Sequence, residues 1–357
     1  MKKITKKVLL IRLSSLGDVV FNIPLANVLK ANGYTVDWIV SEKGYEIVKD
    51  NPCVNKVYLA PVQKWKKRGL SIVSFFEYLK ILREIRKEHY DIAIDCQQMF
   101  KSMYWMIFSG AKRRLASENA KEFSHLGANE IVPNIYGGYE RHSVLNNLKY
   151  AEYLGLNTEK IEFTLPETSA QAKAKIDKLL EHTDKTKPLV VIAPATTWEL
   201  KHWSKDNWKE VVEGIKDECS LVFTGTEADS GLLKYIGADN YTNLCSKTKL
   251  EELRELLSRA DIVLAPDSGS AHLAWASGKP AVIAIFTCTP PGMFGPFDYG
   301  ENKGKYFAVN GGLDCQPCFS INCPKLDENK NLCQRIPTAQ KIINIVKNLL
   351  KNQTPTL

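Results

Sequence analysis

KVLLIRLSSLGDVVFNIPLANVLKA, from Lys7 to Ala31, holds a strand, a turn and a helix in succession. The apolar KVLLIR reads as a short buried strand, and SSLGD as a turn carrying one glycine. From Val19 to Ala31 apolar residues recur at helical spacing, with Pro24 tolerated near the first turn or as a kink. The same rhythm continues outward. TVDWIV, KVYLA and DIAIDC read as further strands, with long helical patterns between them, notably Ser71 to Glu88. Such alternation predicts a parallel sheet covered on both faces. After a charged stretch, Ser169 to Lys187, a second series begins: PLVVIAPA, CSLVFTG, DIVLAPD and AVIAIF. Their continuous apolar runs suit strands buried on both faces. At 357 residues the chain exceeds one ordinary core. The expectation is an α/β protein with two doubly wound domains, residues 1–170 and 185–337, facing a central cleft at the sheets' carboxyl edges, where ligands of this class bind. Thr338 to Lys351 has helical periodicity, and the closing segment 338–357 is expected to pack back across the first domain.

With 44% apolar and 25% charged residues the composition is that of a soluble globular protein. No run approaches the length of a membrane helix. The apolar run near the start, Val8 to Ile11, is cut by Arg12, so it suits a buried strand better than a signal peptide. The net charge of +8 is concentrated in Lys64, Lys66, Lys67 and Arg68, and in Lys112, Arg113 and Arg114. Such clusters favour polyanions over a merely solvated surface only where something else marks them. In QKWKKRG that mark is Trp65, an aromatic among cations that suits a membrane surface or an anionic acceptor. Five of the nine cysteines, Cys53, Cys96, Cys219, Cys245 and Cys288, are scattered, most beside apolar segments, which points to reduced thiols and a cytoplasmic location.

Four turns after strands carry polar chemistry. In Ser14-Ser15-Leu16-Gly17-Asp18, Gly17 permits close approach, and Asp18 is either a helix cap or a displayed carboxylate. Thr196, Thr197 and Lys201 suit a phosphate, the alternative being a polar cap on the helix that follows. Asp267-Ser268-Gly269-Ser270-Ala271-His272 offers helix-terminal amides and a histidine to a diphosphate. A hydrolase elbow is disfavoured there, because Pro266 and Ser270 stand where flanking glycines would be needed. In the turn from Thr224 to Asp229, Glu227 or Asp229 could bind ribose hydroxyls.

SSLGDVV at the first turn, DCQQMFKS at 95–102, TTWELKHW at 196–203 and DSGSAHLAWASGKP at 267–280 together resemble glycosyltransferase family nine. These are the ADP-heptose:lipopolysaccharide heptosyltransferases, and the likeness is nearest to the heptosyltransferase I members. The resemblance implies a GT-B fold, with acceptor in the N-terminal domain and ADP-sugar in the C-terminal one. It implies inverting, metal-independent transfer from ADP-heptose to the Kdo-lipid A core, by an enzyme peripheral to the inner face of the cytoplasmic membrane and without a nucleic-acid partner. No cofactor is implied for catalysis, and no paired acidic motif stands in a cleft loop. Asp18 would be the general base, and Lys201 would neutralise the leaving diphosphate with Thr196, Thr197, Asp267, Ser268, Gly269 and His272. Asp229, with Glu227 as competitor, would hold ribose, and Thr248 would lie near adenine. Ser15, Gly17, Lys64, Lys66, Lys67, Arg68, Gln97, Lys101 and Lys121 would meet the acceptor. Where the family's acceptor loop is arginine-rich, this chain has mostly lysine, a point charge rather than a fork.

Cys315, Cys318, Cys323 and Cys333 follow C-x2-C-x4-C-x9-C spacing, which favours a structural metal such as zinc, while resemblance to the cysteine segments of other family nine enzymes implies iron as the alternative. They set the chain apart from a plain heptosyltransferase I. They keep open another family nine transferase, one adding a later core heptose or modifying protein. The reading of a different class is a non-catalytic polyanion-binding protein.

Overall fold

The computed structural model describes residues 6–69, 71–299 and 304–353, without the side chains of residues 352 and 353. The chain divides into two units, Met1–Glu167 and Thr168–Leu357. The first contains β1 (Lys7–Ile11), β2 (Thr35–Ser41), β3 (Lys56–Ala60), β4 (Ile92–Asp95), β5 (Arg113–Ser117) and β6 (Glu130–Val132). The second contains β7 (Leu189–Ile192), β8 (Ser220–Phe223), β9 (Thr242–Asn243), β10 (Ile262–Pro266), β11 (Ala281–Phe286) and β12 (Tyr306–Asn310).

Both sheets are wholly parallel, ordered β3-β2-β1-β4-β5-β6 and β12-β11-β10-β7-β8-β9. Each therefore winds outward from a central first strand in both directions. The strand order reverses between β1 and β4 in one unit and between β7 and β10 in the other. In open α/β sheets ligands bind outside the carboxyl ends at such a reversal. Two loops meet at each of these places: residues 12–18 with 96–98, and residues 193–201 with Asp267.

The central strands are apolar along their length because helices cover both faces. Leu9, Ile11, Ile39 and Ala93 share one core with Ile85, Trp105 and Met106. Val190, Ile192, Ile262, Leu264, Ile283 and Ile285 share another with Trp208, Val211 and Val212. Burying each such side chain stabilises by about 1.5–3 kcal/mol, so these strands hold the loops at their ends firmly.

Four local expectations are revised. The helix from Val19 to Ala31 is two helices, Leu16–Phe21 and Ile23–Ala31, with Pro24 in the first turn of the second. Proline has no N–H to continue a helix, so the break falls just before it, at Asn22. The charged stretch from Ser169 is no connector: Ser169 caps a helix, Ala170–Leu179, whose Lys175 pairs with Glu252 at 2.7 Å inside the second unit. The basic cluster at 112–114 is structural, since Lys112 pairs with Asp91, Arg113 forks onto Glu130 of the neighbouring strand, and Arg114 donates to the Gly127 carbonyl. The closing helix Ala339–Gln353 is corrected from the first domain to the second unit, where Ala339, Ile342, Ile343, Val346 and Leu350 complete the core around Trp208. Residues 1–5 of the first domain and 354–357 of the closing segment lie outside the described residues.

Candidate active site

In the first unit, β1 ends at Ile11 and delivers Arg12 and then Asp18, at the third position of a six-residue helix. The Asp18 carboxylate closes a capping box. Its Oδ2 accepts from the Ser15 amide at 2.7 Å and the Ser15 hydroxyl at 2.8 Å, while Arg12 Nη2 lies 2.5 Å from Oδ1. A carboxylate has about four lone-pair sites, so one on Oδ1 stays open, and the side chain is 29% exposed. Burial alone would raise this carboxyl, but the Arg12 charge and the Ser15 hydrogen bonds outweigh it and hold it below the ordinary carboxylate range.

The loop is held from β4. Gln97 Oε1 accepts from the amides of Leu13 and Ser14, each at 3.0 Å, so this buried glutamine positions the turn instead of presenting its amide to a ligand. Asp95 in turn accepts from the amides of Gln97 and Gln98 and from the Ser102 hydroxyl. It is fully buried, and desolvation raises its carboxyl to about 6. Lys101 Nζ stands 3.5 Å from Ser14 Oγ; burial, then repulsion from Lys66 and Arg12, lowers its pKa. Lys66, Lys101 and Arg12 thus form one electropositive neighbourhood beside Asp18. Lys121 joins by its backbone, its amide donating to the Gln98 carbonyl at 3.0 Å, with its side chain exposed.

The string at 64–68 is a helix, Val62–Arg68, capped by Glu42, which accepts from the amides of Gln63 and Lys64. Lys64 and Arg68 both pair with Glu77, at 2.8 and 3.2 Å, and Trp65 Nε1 donates to the same carboxylate. The ring of Trp65 stacks on Trp105 and meets Tyr78 edge-on, as part of the unit's core. Its reading as an aromatic offered to a membrane surface or an anionic acceptor is therefore revised, since the ring packs against the core and the indole N–H goes to Glu77. Among the described residues no carboxylate pairs with Lys66 or Lys67.

In the second unit the centre is Asp267, at the end of β10 and 4% exposed. Lys201 Nζ lies 2.6 Å from Oδ2, His272 Nε2 lies 3.2 Å from Oδ1, and Thr289 Oγ1 donates to Oδ2 at 2.6 Å. Burial opposes ionisation here, but the His272 hydrogen bond and the Lys201 charge prevail, so Asp267 stays ionised far below the usual range. The Trp275 indole can only donate, and it faces His272 Nδ1 at 3.4 Å, which leaves the Nε2 proton for Asp267. His272 is thus turned onto Asp267, and the expectation that it faces a diphosphate directly is revised. Lys201 also lies over the Trp198 ring, 4.8 Å from its centroid. Thr196 Oγ1 donates to the Asp267 carbonyl, while Thr197 is exposed. Ser268 is the N-cap of helix Gly269–Ala276, and its hydroxyl is buried with no partner in the protein. That buried hydroxyl, the first amides of the helix and the Lys201 ammonium together offer donors to an anion.

Asp229 and Glu227 separate clearly. Asp229 Oδ2 accepts from the Thr226 amide and hydroxyl, both at 2.7 Å, in a second capping box. Glu227 is exposed and accepts only from Ser246 Oγ, at 3.1 Å. Thr248 lies between β9 and helix Leu250–Arg259.

A family model described as glycosyltransferase family 9 (heptosyltransferase) matches residues 78–327. The chain belongs to glycosyltransferase family 9. It is 26% identical over 326 residues to lipopolysaccharide heptosyltransferase 1 of Pseudomonas aeruginosa, covering 89% of this chain and 87% of that one. It superposes on the family 9 glycosyltransferase from Veillonella parvula with a TM-score of 0.80 at 17% identity, over 99% of both chains. With the E. coli heptosyltransferase WaaC bound to ADP the TM-score is 0.71 at 21% identity, over 96% of this chain and 99% of that one. The architecture is GT-B and the protein is a glycosyltransferase.

Cys315, Cys318, Cys323 and Cys333 of this family 9 chain line one cavity with Leu200 and Thr287, adjoining buried Cys288. Yet among the described residues no three potential ligands stand close enough to hold a metal ion. The segment is bound to the Lys201 loop: Leu200 N donates to the Ile321 carbonyl, Thr287 Oγ1 to the Leu200 carbonyl, and Gln334 Nε2 to the Glu199 carbonyl. No helix among the described residues is long and apolar enough to cross a membrane. The sequence reading missed Arg12, Asp95, Thr289 and Glu77. Thr289 acts on Asp267, and Glu77 on Lys64 and Trp65, all twelve or more residues away. Arg12 and Asp95 act on near neighbours, Asp18 and residues 97–102, and their place at strand ends could have marked them.

Proposed function

We propose that this glycosyltransferase moves heptose from ADP-heptose onto an acidic core lipid of lipopolysaccharide, the Kdo-lipid A inner core, with inversion and without metal assistance. The observation that carries the donor half is the unpartnered buried Ser268 hydroxyl at a helix N-terminus, beside Lys201 fixed by Asp267. A diphosphate supplies the acceptor oxygen that the Ser268 hydroxyl lacks. The sugar's identity leans on relatives named as lipopolysaccharide heptosyltransferases.

In the reaction, the acceptor hydroxyl oxygen forms a bond to the anomeric carbon as the bond from that carbon to the ADP oxygen breaks. The hydroxyl proton goes to the open lone pair of Asp18 Oδ1, and the departing electron pair stays on ADP. Lys201 and the amides at Gly269 and Ser270 meet the charge that develops there. A carboxylate with a lowered pKa is a weak base at rest. It takes the proton late, once attack has acidified the hydroxyl. Of the two ribose candidates, exposed Glu227 is better placed than Asp229, whose Oδ2 is committed to its cap.

The four cysteines carry a separate part of the reading, a structural zinc or iron. Four thiols line one cavity and the Asn331 amide stands 3.4 Å from Cys323 Sγ, so Cys315, Cys318, Cys323 and Cys333 are the residues that would hold it. Metal analysis of gently purified protein checks it, and a metal-free, fully folded protein would sink it.

Incubation with ADP-heptose and a panel of acceptors tests the whole. Transfer to Kdo-lipid A is the expected result. Transfer only to a core that already bears heptose would assign a later step, and transfer to none would refute the reading.

A further inference from the structure

The helix Ile72–Arg86 buries Leu82 and Ile85 against the first unit's core. Its first turn and a half should then turn polar on the other side, and it does not. Ile72 is 76% exposed, Phe76 60%, and Val73 and Phe75 are exposed beside them. At about 100° per residue, Ile72, Val73 and Phe76 share one side of the helix, and Lys80 and Arg83 continue that side toward its carboxyl end. Lys87 caps the end, and Glu84 flanks the stripe. The face is an apolar tip running into a basic stripe. It lies away from the side that packs.

The preceding helix adds to the charge. Between Val62 and Lys87 the chain has eight lysines and arginines against two glutamates, so this stretch holds most of the protein's net +8. Among the described residues no carboxylate pairs with Lys66, Lys67, Lys80, Arg83 or Lys87. The adjoining helix Phe100–Phe108 also exposes Phe100, Tyr104 and Phe108 in a line of ring contacts. Scattered exposed apolar residues need no explanation, but a cluster of large ones ringed by unpaired cations does.

We propose that the helix Ile72–Arg86 forms a membrane-docking corner: Ile72, Val73, Phe75 and Phe76 enter an anionic bilayer, and Lys80, Arg83 and Lys87 lie on its headgroups. A protein groove would account for the apolar tip, but it would leave Lys80, Arg83 and Lys87 without partners. An anionic bilayer answers both features at once. The inference deepens the proposed function, resting on it only for the purpose served, which is access to a lipid acceptor. Seating in the bilayer is independent of the acceptor's identity.

The test is sedimentation of the full chain with vesicles that contain no acceptor, either phosphatidylcholine alone or mixed with phosphatidylglycerol. The wild type should pellet with anionic vesicles, stay free of neutral ones, and be released by high salt. Ile72→Ser with Phe76→Ser should cut partition at least tenfold, and each of Lys80→Glu and Arg83→Glu about fivefold. All of these variants should transfer sugar to a water-soluble, deacylated acceptor as the wild type does. Phe76→Trp retains the apolar contact, and its fluorescence should be quenched by bromine-labelled anionic lipid. Equal binding to neutral and anionic vesicles, or undiminished binding by the variants, would overturn the proposal. So would a concentration-dependent dimer that Ile72→Ser with Phe76→Ser abolishes, because a second copy would then cover the face. Vesicle binding without transfer to any acceptor would refute the proposed function and leave the docking corner standing.

Discussion

Asp18 and Asp229 make the same local structure in different units. Each stands three residues after a hydroxyl residue, Ser15 or Thr226, and each accepts from that residue's amide and hydroxyl at 2.7–2.8 Å. What differs is the neighbour. Asp18 has Arg12 against Oδ1, a lowered carboxyl and nearby Lys101, whereas no arginine or lysine pairs with Asp229 among the described residues. The capping box aims a carboxylate and costs nothing special, and proteins use it everywhere to start helices. Chemistry needs a carboxylate kept ionised, aimed, and still holding a free lone pair. At Asp18 the Arg12 guanidinium, delivered from the end of a buried strand, favours the ionised carboxylate while Oδ1 keeps a lone pair open.

Removing each carboxylate separates the two aspartates most sharply. Asp18→Asn should lower the transfer rate by about 10²–10⁴-fold, while Asp229→Asn leaves it within a few-fold and costs about 1 kcal/mol of stability through the weakened cap. Single-turnover rates and denaturant titrations on both variants read the two effects, and equal rate losses would dissolve the distinction. Next in size, Asp267→Asn should reduce turnover about 10²-fold, since Lys201 loses its anchor and the partner charge beneath it. The corresponding loss should be absent from a surface pair such as Lys216–Glu213.

Smaller but more diagnostic is the pH profile of Arg12→Gln. Arg12 favours the ionised form of Asp18, so its loss raises that carboxyl toward or above the ordinary range. A base must be deprotonated, so the acid limb of the rate should move to higher pH, whatever the absolute activity. Smallest is the effect at Asp95, which reaches the Asp18 turn through Gln97. Its folded pKa of about 6 lies above that of an unfolded aspartate, so the native state holds the proton more tightly. Stability should therefore fall as pH rises from about 4 to about 6, by on the order of 1–3 kcal/mol, and then level off. Asp95→Asn can still accept from the Gln97 and Gln98 amides and should flatten that slope.

The two sheets were legible because their central strands are unbroken apolar runs, and the four loops because serine, threonine, glycine and aspartate follow those runs directly. β5, β6, β9 and β12 were not. RRLAS, EIV and TN are short or polar, and their strand character comes from neighbours, as when Arg113 of β5 pairs with Glu130 of β6. Trp65 shows the same limit in a side chain. Its lysine-rich surroundings suggest exposure, yet its place is set by Glu77, Tyr78 and Trp105, none of them adjacent in sequence. The apolar surface that does stand exposed begins at Ile72, inside what looks like an ordinary amphipathic helix.

The proposed mechanism divides labour, with proton removal at Asp18 in the first unit and diphosphate binding around Lys201 in the second. Calorimetric titration of ADP into wild type, Asp18→Asn and Lys201→Met tests it without relying on turnover. Asp18→Asn should bind ADP as the wild type does, while Lys201→Met should bind it at least about tenfold more weakly. An Asp18→Asn protein that loses ADP affinity as severely as Lys201→Met would contradict that division.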